Sequence, residues 1–289
     1  MLKIVDATNN ISDFFHDDCF SIEQWIKYMD TVLPLHKNIF IDDMQNAIHT
    51  GGLTFENDYL PVLNKALINK ESRVRAVSSF RKVTDNLEEK IRNTIGNSID
   101  ATVILYMGLC NGAGWVIQLN SCQYVLLGIE KILELGWCDT NNMYGLIYHE
   151  LGHIYQMQYG QLTKNYKNSD AFLWQLFTEG IAMLFEQKLI GNNDYFHQDK
   201  NGWADWCAAN LNIIMNDFNA DLIYMTRDNQ RYFGDWVNYN NHNDVGYYLG
   251  AKFTQWINIK YQFEEMLNFD IKTVRSEWMS YLDWNNSGR

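Results

Sequence analysis

His149 and His153 stand four residues apart in His149-Glu150-Leu151-Gly152-His153, an H-E-x-x-H pentad. On a helix, side chains at i and i+4 lie one above the other, with Cβ atoms about 5–6 Å apart, so two imidazoles there can grip one metal ion. Glu150 projects beside the pair, where a carboxylate can hold a water and take its proton. A catalytic zinc site usually takes three protein ligands and leaves the fourth position to water, so another element must supply the third. Glu179, in Thr178-Glu179-Gly180-Ile181-Ala182, is the candidate. It follows His153 by 26 positions. That is room for one helix to end, a loop to turn, and a second helix to return alongside.

Small residues support that packing. Gly180 and Ala182 flank Glu179, and Gly152 sits inside the pentad, so the two helices can approach closely. A mid-helix glycine costs about 1 kcal/mol against alanine and usually has a packing or functional reason. Taken singly, each residue has a plainer reading: a lone helical His is usually solvated or hydrogen-bonded, and a lone Glu is usually at the surface. Together, the pentad and the facing Glu point to one Zn2+ per chain. His16, His36, His49 and His197 stand outside any metal-ligand spacing and read as structural or surface residues.

The elements that must position these groups follow from periodicity. Apolar residues at helical spacing mark helices in 22–33 and 59–68, and a long charged helix over 71–95. The pattern then changes. Ala101–Tyr106, Gly114–Leu119 and Tyr124–Gly128 are short β-rich runs separated by Gly, Asn and Ser, and read as a small sheet. Helices resume with one from Asp139 or Thr140 to about Tyr159, which carries the pentad. A second starts at Ser169 or Asp170 and ends near Leu189, and others cover roughly 202–217, 245–262 and 271–283. Only two prolines occur in 289 residues, in keeping with a mostly helical chain. The expected fold is α+β, mostly helical, with a small sheet packed on the pentad helix. Residues 1–98 read as an N-terminal helical region and 99–289 as the catalytic domain, the two forming one continuous unit.

Composition narrows the partners. A net charge of −12 argues against nucleic acid and anionic membrane surfaces. The sequence has no run of about 18 apolar residues that could span a bilayer. The five cysteines are scattered and form no C-x-x-C pair, which fits a reducing compartment. The start MLKIVDATNNISDFF lacks a basic region followed by an apolar stretch, so cytoplasm is the expected location, with a leader removed before this start left open. Aromatics make up 15% of the chain, enough to fill a large core or to line a cleft.

H-E-L-G-H followed by T-E-G-I-A resembles the gluzincin group of zinc metallopeptidases, in which the third ligand is a Glu on the helix after the H-E-x-x-H helix. The spacing is longer than in thermolysin and closer to predicted zinc-dependent protease families that share the E-G-x-A ending. The resemblance covers about residues 100–262. It implies a zincin-like fold, His149, His153 and Glu179 as ligands, and Glu150 as general base. The thermolysin-like E-x-x-x-D is absent, since Met183 stands four after Glu179. The resemblance also implies that an edge strand before the catalytic helix pairs with substrate, which would fall on Gly112, Ala113, Gly114 and Trp115; an ordinary Gly turn is the alternative. Tyr247-Tyr248-Leu249-Gly250 resembles the segment whose Tyr stabilises the oxyanion in aminopeptidase-like gluzincins. Tyr247 is the favoured donor, with a packing role as the alternative and His242 and Asp244 as weaker candidates. No G-x-M-E-N motif is present, so aminopeptidase activity is not indicated.

The expected function is zinc-dependent hydrolysis of peptide bonds in peptides or unfolded protein. Hydrolysis of a non-peptide amide at the same site, a degenerate zinc- or peptide-binding protein, and a helical interaction protein with an incidental pentad are the alternatives. Retention of Glu150 weighs against a degenerate site, because binding needs the ligands and not the base.

Overall fold

The computed structural model of the chain describes residues 1–16, 19–34, 36, 38–164, 166–234 and 236–287. Its elements in chain order are β1 (Leu2–Asp6), β2 (Phe15–His16), β3 (Cys19–Phe20), α1 (Ile22–Val32), α2 (Asn38–Gly51), α3 (Leu60–Ile68), α4 (Lys70–Thr84) and α5 (Leu87–Ile95). There follow β4 (Ala101–Tyr106), β5 (Gly114–Leu119), β6 (Cys122–Gly128), α6 (Ile129–Leu135) and α7 (Thr140–Tyr159). The chain closes with α8 (Ser169–Ile190), α9 (Trp203–Asp221), α10 (Val245–Asn258), α11 (Phe263–Met266) and α12 (Ile271–Asn286). This is an α+β fold, mostly helical, with one small sheet. Internal contacts divide it into two units, Met1–Glu150 and Leu151–Arg289, and the division falls inside α7.

In the first unit four strands pair in the order β1-β4-β6-β5. β1 and β6 run parallel to β4, and β5 runs antiparallel to β6. The near-continuous apolar run of β4 suits a strand with a partner on each side, and Val103 and Leu105 are fully buried. β5 forms one edge of the sheet. It joins β6 through Asn120 and Ser121, both at positive φ (48° and 67°). That two-residue turn matches the right-handed twist of the paired strands.

Three features differ from the sequence-based expectation. β1 is an additional strand, and it is recognisable only through its distant parallel partner. The stretch 71–95 is two helices, because Asn86 takes a left-handed φ of 55° between α4 and α5. α2 falls inside the N-terminal region expected to be helical, whereas α6 is an additional helix after the sheet. Phe40 of α2 packs its ring against Trp25, Tyr106 and Trp115 at 6.1, 5.4 and 5.3 Å, which ties the N-terminal helices to the sheet.

In the second unit α8 is buried on nearly every side, from Leu173 to Leu189. Gly191, at φ 79°, ends it. Its N-cap is Asn168, whose side chain makes no capping bond, while Asp170 instead pairs with Arg275 of α12. α10 crosses α8 where Gly180 meets Gly250: a Cβ on Gly250 would lie 2.7 Å from the Leu176 carbonyl oxygen. Thr254 sits fully buried at the crossing, its hydroxyl 2.9 Å from the Gly180 carbonyl oxygen and 3.0 Å from that of Gly250. Trp278 of α12 joins Phe253 and Phe218 at 5.2 and 5.6 Å. In these clusters the aromatic residues fill core. Among the described residues no helix is long and apolar enough to cross a membrane.

Candidate metal centre

α7 begins on a true side-chain cap. Asp139 Oδ1 accepts from the backbone N–H groups of Asn141 and Asn142 at 2.9 and 3.0 Å. About three to four turns later the helix presents His149, Glu150 and His153. His149 is 4% exposed and Glu150 7%, while His153 is half-buried. One ligand atom from each of His149, His153 and Glu179 lies within 4.8 Å of the others. His153 Nε2 and Glu179 Oε2 are 3.3 Å apart. Two ligands at about 2.0–2.1 Å from a tetrahedral ion are separated by about 3.3 Å, so this pair already spans such an edge. Two imidazoles and a carboxylate are a donor set that fits zinc.

Small residues place Glu179, although not all in the manner the sequence suggested. A Cβ on Gly152 would lie 2.8 Å from the Ala182 Cα and 3.1 Å from the Phe185 Cβ. Gly152 and Ala182 therefore make a close approach of α7 and α8. Gly180 serves a different contact, since a Cβ there would overlap the Gly250 carbonyl oxygen of α10. The residue after Glu179 is thus clamped from α10, and the residue three after it from α7. Met183 is fully buried, and Gln198 Nε2 approaches its sulfur at 3.9 Å.

The lead-in to β5 is closely packed. A Cβ on Gly114 would lie 2.7 Å from Glu150 Oε1, 2.9 Å from its Cγ and 2.8 Å from Leu146 Cδ1. The edge strand therefore lies directly against the Glu150 side chain. The Gly112 carbonyl fits where a Cβ on Gly128 would be, at 2.5 Å, and the Ala113 carbonyl accepts from Gly128 N at 3.1 Å. Trp115 Nε1 donates to the Tyr106 hydroxyl at 3.2 Å. Gly114 and Gly128 thus have packing reasons within the first unit, and β5 remains a sheet edge.

The two tyrosines of α10 separate clearly. Tyr248 is buried, its ring 4.9 Å from Phe196 and 6.0 Å from Trp203, and burial pushes its phenol up to about 12. Tyr247 is half-buried and touches Phe233 edge-on at 5.6 Å. His242 stacks on Trp206 with centroids 3.7 Å apart, its Nδ1 3.0 Å from the Asn240 carbonyl. Asp244 Oδ1 accepts from Gly234 N at 3.0 Å, so that carboxylate orders its own loop.

Of the remaining histidines, His197 is buried and pairs through Nδ1 with Glu186 at 3.1 Å, a structural role. His49 is exposed, His36 lies 3.5 Å from Asn120 Nδ2, and the side chain of His16 is outside the described residues. Sequence reasoning missed Glu130. This residue of α6 is buried and accepts from Gly108 N at 2.8 Å and Cys110 N at 3.0 Å. Gly108 and Gly128, both small where they meet it, were the only trace of it in the sequence.

Residues 135–274 match the model of a family described as "Putative zinc dependent peptidase (DUF5700)". The match spans just under half the chain and contains His149, Glu150, His153, Glu179 and Tyr247, whereas β4, β5 and β6 precede it. No curated protein and no solved structure matches the chain.

Proposed function

We propose that the chain is a gluzincin-type zinc metallopeptidase that holds one zinc through His149, His153 and Glu179. The observation that carries this reading is the convergence of those three ligand atoms within 4.8 Å. Similarity to a family described as zinc-dependent peptidases supports it.

Zinc bound by these side chains would supply a Lewis acid and an acidified water. Glu150, one position after the first ligand, takes a proton from the attacking water and later delivers it to the departing amine nitrogen. Its burial at 7% exposure keeps bulk water from competing for that proton. Gly114 packs against its Oε1 and Cγ and so limits where the carboxylate can swing. Gly112 and Ala113 lead into, and Gly114 and Trp115 open, the edge strand on which an extended peptide would lie. Tyr247 donates its hydroxyl to the oxygen that gains charge as water adds. In support, Tyr247 lies one turn before Gly250, the residue that brings α10 against α8 beside Glu179. The substrate is a peptide or an unfolded segment. The −12 charge favours partners other than nucleic acid or anionic membrane, and five free cysteines favour the cytoplasm.

Elemental analysis tests the ligand set. About one zinc per chain is expected in the native protein and none in His149→Ala or Glu179→Ala. Full metal content in either variant rules that ligand out. Turnover of a peptide library by the native protein separates the peptidase from a non-peptide amidase and from a binding protein.

A further inference from the structure

The β4–β5 loop, residues 107–113, is held by a buried acid that the proposed chemistry does not use. Glu130 is 1% exposed, and both of its oxygens accept from the loop: Oε2 from Gly108 N at 2.8 Å and Oε1 from Cys110 N at 3.0 Å. The surroundings are shaped to admit it. A Cβ on Gly108 would lie 2.5 Å from Oε1, and one on Gly128 would lie 3.0 Å from it. The loop bends to reach the carboxylate, with Cys110 at a left-handed φ of 58°, which is uncommon for a residue with a side chain.

The other side of the loop is pinned as well. Asn111 Oδ1 accepts from Leu109 N at 3.2 Å, and Asn111 Nδ2 donates to the Phe40 carbonyl at 3.0 Å and to Asp43 Oδ2 at 2.8 Å. The chain then passes into β5, where Gly114 abuts Glu150. Burying a carboxyl is costly unless its hydrogen bonds compensate, and burial pushes Glu130 up to about 7. A core-filling role would be met at lower cost by an apolar side chain of the same size. What the acid uniquely supplies is a pair of acceptors aimed at two backbone N–H groups of one loop.

We propose that Glu130 is a positioning residue: it fixes the β4–β5 loop, thereby the edge strand β5, and through Gly114 the Glu150 side chain. The inference rests on the reading of Glu150 as the base and β5 as the substrate edge.

Glu130→Gln tests it, because the amide keeps one acceptor and turns an N–H2 toward the second backbone donor. Zinc content should stay near that of the native protein. Amide exchange should rise by about tenfold or more in 107–119 and stay unchanged in α8 and α10. On a peptide substrate of the native protein, KM should rise and kcat should fall, together costing about tenfold or more per zinc-loaded molecule. Gly108→Ala, which displaces the carboxylate from the loop side, should reproduce the pattern and serves if Glu130→Gln does not fold. Unchanged exchange in 107–119, or exchange raised evenly over the whole chain, overturns the proposal. Native kinetic constants in the folded variant overturn the link to Glu150. If the native protein cleaves no peptide, the peptidase reading fails, and the exchange pattern alone still decides whether Glu130 positions β5.

Discussion

Two of the close approaches that glycines make in this chain differ in what the glycine faces. At the α8–α10 crossing, Gly180 and Gly250 meet each other's helix backbone. In the β4–β5 region, Gly108 faces the Glu130 carboxylate and Gly114 faces Glu150 and Leu146. Helix backbone cannot retreat without breaking its own hydrogen bonds, whereas a side chain can rotate away. An added methyl at the first place should therefore cost stability. At the second it should displace a functional group and leave the fold largely intact. Proximity alone does not tell these cases apart; the identity of the neighbouring atom does.

The largest effect should come where the strand meets the helix. Glu150→Gln should keep zinc and lower turnover by about 10²–10⁴-fold, since the amide cannot take the proton. Near-native activity with zinc in place would show that Gly114 merely packs against a spectator. Next is Tyr247→Phe, expected to lower kcat by about 10²–10³-fold with zinc content and KM nearly unchanged. It asks whether the α8–α10 crossing also delivers a chemical group. Parallel measurements on Tyr248→Phe should show lost stability instead, given its buried stack with Phe196. If both variants keep native kcat, the donor lies elsewhere, and His242 is the next residue to test.

The glycines themselves give the direct contrast. Gly180→Ala should lower unfolding free energy by about 1–3 kcal/mol in denaturant titrations, because the new methyl meets the Gly250 carbonyl. Gly114→Ala should move the melting temperature less and cut kcat by about tenfold or more by pushing the Glu150 carboxylate. Equal melting losses in the two variants would erase the distinction between backbone and side-chain neighbours.

The smallest effect is a slope. Burial raises the Glu130 carboxyl from 4.5 to about 7, opposed by its bonds to Gly108 and Cys110 and by Lys131. Tyr28, Tyr106 and Cys110 also feel its charge. Between about pH 4.5 and 7 the folded chain keeps a proton that the unfolded chain has released, so this contribution to stability falls as pH rises. Melting curves of the native protein should therefore lose ground against Glu130→Gln across that window. A difference that grows in favour of the native protein would mean that the two N–H bonds outweigh burial.

The sequence by itself determined the helix that carries the pentad, because an i, i+4 pair and a capping Asp139 act over a few residues. It also determined the extent of β4 and β5 to the residue, since each is a short β-rich run with a polar residue or glycine close to either end. It singled out Glu179 by its small neighbours, and it showed that a close approach occurs there. Only the tertiary structure decided who makes that approach: Gly152 meets Ala182, whereas Gly180 belongs to α10. A small residue reports that something comes near and carries no address. The same reason hid β1, whose partner β4 lies far along the chain, and the buried pairs Glu130 with Gly108 and Glu186 with His197. A buried charge is tolerated only for the sake of groups that folding brings to it, and those groups leave no periodic mark in the residues around it.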